Sequence, residues 1–140
     1  MPAYAITIFL SAFLLFQVQL LLGKYLLPWF GGAAAVWATC MLFFQVLLLA
    51  GYAYAHWLTA RLALRWQRRL HLLVVMASLG ALLALAAGWG TPLLPDGSWK
   101  PPDSAAPIRW LLQVLAVAVG LPFFVLATTG ALLQAWFSAA

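Results

Sequence analysis

Acidic side chains are almost missing from this sequence. Its 140 residues contain two, Asp96 and Asp103, against seven lysines and arginines, and charged residues of both signs make up only 6%. Soluble domains carry roughly a quarter, so a globule with a water-facing coat is excluded. Cysteine is nearly absent too. The single Cys40 excludes an internal disulfide framework, a cysteine zinc cluster and a haem-attachment pair. Histidine is limited to His56 and His71. A Gly-rich phosphate loop, a Ser-His-Asp set and a metal-ligand cluster are all missing. Asp96 and Asp103 sit seven apart in a proline-rich stretch with Lys100 between them, and no histidine is close. That grouping suits an exposed ion pair better than acid–base chemistry. A catalytic centre, a metal site and a cofactor site are therefore not expected.

What is there is hydrocarbon. Hydrophobic residues make up 67%, and the mean hydropathy is +1.05. Disorder needs the opposite composition. A spanning helix needs about 20 mostly apolar residues, and four runs qualify, at about 4–23, 34–58, 71–90 and 108–136, the first three free of charge and the last with only Arg109 at its border. Barrel strands would alternate apolar and polar residues, whereas Leu79 to Ala87 is continuous. The expected fold class is all-α, an integral membrane bundle of four transmembrane helices, forming one module over 1–140. Pro107 suits the first turn of the last helix. Pro122 lies within it and should kink it.

Arginines set the orientation. Arg61, Arg65, Arg68 and Arg69 fall in a basic loop expected at 59–70, and Lys24, Lys100 and Arg109 lie at the opposite ends of the spans. Short cytoplasmic loops are rich in Lys and Arg, so 59–70 is placed inside. Both termini are then inside as well, and the proline-rich loop 91–107 is outside. The start of the chain has no basic n-region and reads as an uncleaved span. Trp29, Trp57, Trp66, Trp89, Trp99, Trp110 and Trp136 fall near span ends, where amphipathic rings settle. The net charge of +5 sits at membrane borders. Its expected partner is the lipid bilayer, with anionic head groups, and not nucleic acid.

Polar side chains within the spans are the remaining candidates. Gln17 and Gln45 each lie 13 residues from the inner end of their spans, which puts both at a depth of ~20 Å. Gln19 and Gln113 both lie near the outer boundary. Antiparallel neighbours could pair these amides, so Gln17, Gln19, Gln45 and Gln113 are expected to make interhelical polar contacts, each worth about 0.6–2 kcal/mol. Lining of a polar path for a solute is the alternative. Gly80 with Ala84, and Ala116 with Gly120, form small-xxx-small pairs suited to close helix approach.

Several stretches resemble a known family. FLSAFLLFQVQLLLGK at 9–24, LLPWFGG at 26–32, VWATCMLFFQVLLLAGYAYAH at 36–56, LPDGSWKPPD at 94–103 and LPFFVLATTGALLQAWF at 121–137 resemble the N-terminal transmembrane region of bacterial membrane-bound spermidine synthase-like proteins. That resemblance implies a membrane region followed by further spans and a cytoplasmic Rossmann-like domain similar to aminopropyltransferases. No Rossmann fingerprint stands in these residues, so the resemblance carries no transferase role onto any of them. Leu20 and Ala131 depart from the prolines expected in relatives. The sequence stops where relatives continue, and its last span lacks a charged stop, as expected of a fragment or of a stand-alone membrane module covered by a partner.

Three functions are expected from this reading. The first is a membrane-anchoring or scaffold module, serving a spermidine synthase-like cytoplasmic domain or acting as an accessory subunit beside other membrane subunits. The second is a small-solute transporter or export subunit. The third is a haem- or pigment-binding electron-transfer subunit using His56 or His71. The expected location is the bacterial inner (cytoplasmic) membrane.

Overall fold

The computed structural model describes residues 2–91, 93–100 and 107–138. The chain is an all-α bundle. Four stretches among the described residues are long and apolar enough to cross a membrane: Ala3–Phe30, Ala34–Arg61, Leu64–Trp89 and Ile108–Ser138. Helix α1 covers Pro2–Leu26 and runs into a 3-10 turn at Leu27–Phe30. Gly31 and Gly32, with φ of +84° and +64°, reverse the chain, a backbone region that only glycine enters without strain. Helix α2 covers Ala34–Arg61, and α3 covers Leu64–Trp89. The last span is α4, Pro107–Leu115, a π-helical segment at Ala116–Gly120, and α5, Leu121–Ser138.

The loop expected at 59–70 is mostly helix. Only Leu62 and Ala63 interrupt it, both in extended conformation, with φ/ψ of −119°/144° and −65°/148°. Arg65, Arg68 and Arg69 therefore ride on the first turns of α3. Arginine is a good helix former, and its long side chain reaches water from a helix end, so charge did not mark the helix boundary. The interruption expected at Pro122 lies just before it. Proline cannot donate a backbone bond and crowds the carbonyl four residues earlier, and the wider π turn at Ala116–Gly120 carries that break in the α ladder.

The main core lies in the half of the bundle near Lys24. Leu22 and Leu26 of α1, Cys40 and Phe44 of α2, Leu111 and Val114 of α4, and Phe123 of α5 are buried there. The Phe44 and Phe123 rings pack 4.8 Å apart. A smaller cluster of Ala55, Leu58 and Leu132 occupies the arginine half. The last span is the central one, half of it buried. Helix α3 contributes no buried residue to either cluster.

One end of the bundle is closed by the described part of the loop after α3. Tyr25 donates to Pro95 O at 3.2 Å, and Trp110 Nε1 donates to Trp99 O at 2.8 Å. Trp89 meets Trp99 edge-on at 5.4 Å, and the Lys100 ammonium lies 5.6 Å from the Trp29 ring. Four of the seven tryptophans expected at span borders, Trp29, Trp89, Trp99 and Trp110, thus gather into a clasp at this end. Asp96 caps the short turn Gly97–Trp99, accepting from the Ser98 amide at 2.9 Å and from the Ser98 hydroxyl. Lys100 makes a cation–π contact here. Asp103 lies outside the described residues. At the opposite end Tyr4 meets Phe137 at 5.7 Å, so the two outer ends of α1 and α5 share the side that bears Arg61, Arg65, Arg68 and Arg69.

Candidate functional site

Each polar group in a span must find a partner or face a cost, because lipid supplies none. The threonines solve this locally. Thr7, Thr39, Thr59, Thr128 and Thr129 each donate to the carbonyl four residues earlier, at 2.6–3.0 Å, a common arrangement for helix hydroxyls.

The four glutamines expected to tie helices together do not pair with one another. Gln17 is half-buried and Gln45 is exposed on α2, and no hydrogen bond joins them. Gln19 does make an interhelical contact, but to Met41 Sδ at 3.1 Å and not to Gln113. Gln113 is exposed on α4. Equal depth fixes the height of two residues but not their direction around the helix. The buried positions of α2 include Val36, Cys40, Phe44, Gly51, Ala55 and Leu58; Gln45 lies about 100° round from Phe44 and turns outward.

Polar contacts concentrate instead between α3 and α5. The buried residues of α3 are Gln67, His71 and Ser78, at 7%, 7% and 4% exposure. Their spacings of four and seven place them on one helix face. On the rest of the helix Leu72, Leu73, Met76, Leu79 and Leu83 are exposed. The helix therefore turns its polar stripe inward and its leucines outward, which is the arrangement a lipid-facing helix requires.

Gln67 joins three elements. Its Nε2 donates to Leu62 O in the α2–α3 turn at 2.7 Å, and its Oε1 accepts from Trp136 Nε1 of α5 at 2.7 Å. Trp136 also receives the Arg68 guanidinium at 5.8 Å and the edge of His71 at 6.3 Å. His71 Nε2 lies 3.1 Å from Thr129 Oγ1. The single Thr129 hydroxyl hydrogen already points at Val125 O, 2.6 Å away. With that hydrogen committed, Nε2 must be the donor. Nδ1 of the neutral ring is then an acceptor, and it is buried with no partner. The Tyr54 hydroxyl of α2 is also buried without a partner, its ring packed 5.4 Å from Phe124 of α5.

Sequence reading singled out His71 but missed Gln67, Thr129 and Trp136 as its companions. The signal in the sequence is the spacing of Gln67, His71 and Ser78, hidden because Gln67 falls in the segment expected as loop. His56 is exposed on α2. Among the described residues no group of three His, Cys, Asp or Glu side chains could hold a metal ion.

A cavity of about 260 Å³ lies between α1, α2 and α5 and is bordered by Ser11, Tyr52 and Gln134. The glutamine found there is thus Gln134, not one of the four expected to act together.

These features define an α-helical membrane protein with a buried polar seam on one side of its central helix. No family model, no curated protein and no solved structure matches the chain.

Proposed function

We propose that this chain is a membrane-anchoring or scaffold module of the bacterial inner membrane, with its arginine side in the cytoplasm and no reaction centre of its own. It serves either a spermidine synthase-like cytoplasmic domain or a larger membrane complex in which it is an accessory subunit. The observation that carries this reading is the division of α3. Its buried residues are polar and hold it to the bundle in the arginine half, while its leucine flank from Leu72 to Leu83 is left open. A helix pinned along one narrow polar stripe offers a broad apolar flank to another membrane subunit. The arginine side also carries the outer ends of α1 and α5, so a domain joined to α5 would lie there.

The test is site-specific photo-crosslinking in native membranes. A photoreactive residue at Leu73, Leu79 or Leu83 is expected to give a protein adduct of one mass at all three positions. Phe9 of α1 and Leu49 of α2, equally open, are expected to give lipid adducts. Lipid adducts alone from the α3 positions would contradict the scaffold role.

A further inference from the structure

A second cavity, of about 640 Å³, lies at the opposite end of the bundle between the last turns of α1 and the start of the loop after α3. Its volume falls within the range of small-molecule sites. Val18, Leu21, Leu22, Leu93 and Leu94 line it with hydrocarbon. The two hydroxyls on its border are both spent. Tyr25 donates to Pro95 O at 3.2 Å, and Thr91 donates to Leu94 O at 2.6 Å. Apart from the Lys24 ammonium at its mouth the lining has no free hydrogen-bond donor, and an apolar cavity of this kind does not retain water, so its natural content is hydrocarbon.

The charge at its mouth is as specific as the lining. Lys24 borders the cavity and is exposed, with no ion-pair partner among the described residues. It sits in the last turn of α1, where a span meets the head-group layer. Val18, Leu21 and Tyr25 continue on one stripe of α1 as Leu14 and Leu10, both about half exposed. Half-buried Gln17 lies at the edge of this stripe, and a hydrocarbon chain seated in the cavity can run along the leucines of α1 into the bilayer.

We propose that this cavity binds one acyl chain of an anionic phospholipid in the leaflet opposite the arginines, with the lipid phosphate on Lys24. The apolar lining holds the chain, and the ammonium selects the head group. The site stands apart from the α3 flank and does not depend on the scaffold reading.

Native mass spectrometry tests it on the full chain, in detergent containing equal amounts of phosphatidylglycerol and phosphatidylcholine with identical acyl chains. The wild type is expected to retain one lipid, with phosphatidylglycerol favoured about five-fold, the preference one lysine gives at an anionic surface. Lys24→Gln should keep the bound lipid and bring the ratio close to one. Leu21→Trp, which fills the cavity from an exposed position, should lose the lipid while its circular dichroism and melting temperature match those of the wild type. Arg65→Gln, at the far end, should change neither property. Retention that survives Leu21→Trp, or a preference that survives Lys24→Gln, would overturn the proposal. So would equal retention of both lipids by the wild type.

Discussion

Gly51→Leu is expected to destabilise the bundle more than a leucine at any other glycine of α2 or α3. A Cβ at Gly51 would lie 2.9 Å from the Ala127 Cβ, 3.2 Å from Thr128 Oγ1 and 3.3 Å from the Thr128 backbone nitrogen. The last of these is main chain of α5 and cannot rotate away. Membrane helices associate through such close packing, since lipid removes the hydrophobic drive between them. Overpacking costs about 1–3 kcal/mol, and a leucine that must pry α2 from α5 falls at or above the upper end. Gly51→Ala should cost about 1–2 kcal/mol on the same scale. Gly80 is the control. A Cβ there meets nothing within 4 Å, so Gly80→Ala should be neutral or stabilising, given the better helix propensity of alanine. Unfolding of the purified variants in mixed micelles with increasing sodium dodecyl sulfate, followed by circular dichroism, measures the order. Equal losses for the two alanine variants would refute the close approach of α2 to α5.

Gln67→Leu is expected to loosen α3 from the bundle. It leaves the Trp136 indole N–H without its acceptor and removes the donor to Leu62 O. A buried polar group stripped of its partner costs about 1–3 kcal/mol. His71→Leu should cost less than Gln67→Leu. Thr129 keeps its bond to Val125 O, and the substitution also removes the unpartnered Nδ1, whose burial is itself unfavourable. A double-mutant cycle on Gln67→Leu and Trp136→Phe isolates the pair. The expected coupling is about 0.6–1.7 kcal/mol, the size found for hydrogen bonds between membrane helices. A coupling of zero, or a larger loss from His71→Leu than from Gln67→Leu, would show that the seam does not hold α3 through Gln67.

The spans were legible because hydrocarbon length is a blunt physical requirement. Apolar runs long enough to cross a bilayer, free of charge but for Arg109, announce themselves, and each lies within one of the long apolar helices, save the last residue of the third run, Gly90, which caps α3. The start of α3 was not legible from charge. Arg65, Arg68 and Arg69 extend the helix past the apolar run, since arginine favours helix and carries its charge outward on a long stem. Direction around each helix was the other hidden quantity. In α2 nearly every residue is apolar, so hydropathy does not separate the buried stripe through Cys40 and Phe44 from the lipid side that carries Gln45. The expected pairing of Gln17 with Gln45 failed for that reason. In α3 the reverse holds. Leaving aside the exposed arginines, its scarce polar residues, Gln67, His71 and Ser78, mark the buried face directly. The loop after α3 was expected to be irregular. Its described part is pinned by Tyr25, Trp99 and Trp110, contacts across 70 and 11 positions of sequence that proline content does not foretell.

Cysteine accessibility tests the central claim most directly, namely that four spans leave the arginine turn and the outer ends of α1 and α5 on one side of the membrane. In a Cys40→Ala background, single cysteines at Ala60, Ser138, Ala33 and Ser98 are exposed to an impermeant maleimide in sealed vesicles of known orientation. Ala60→Cys and Ser138→Cys are predicted to label from one side, and Ala33→Cys and Ser98→Cys from the other. Labelling of Ala60→Cys and Ser138→Cys from opposite sides would contradict the four-span account.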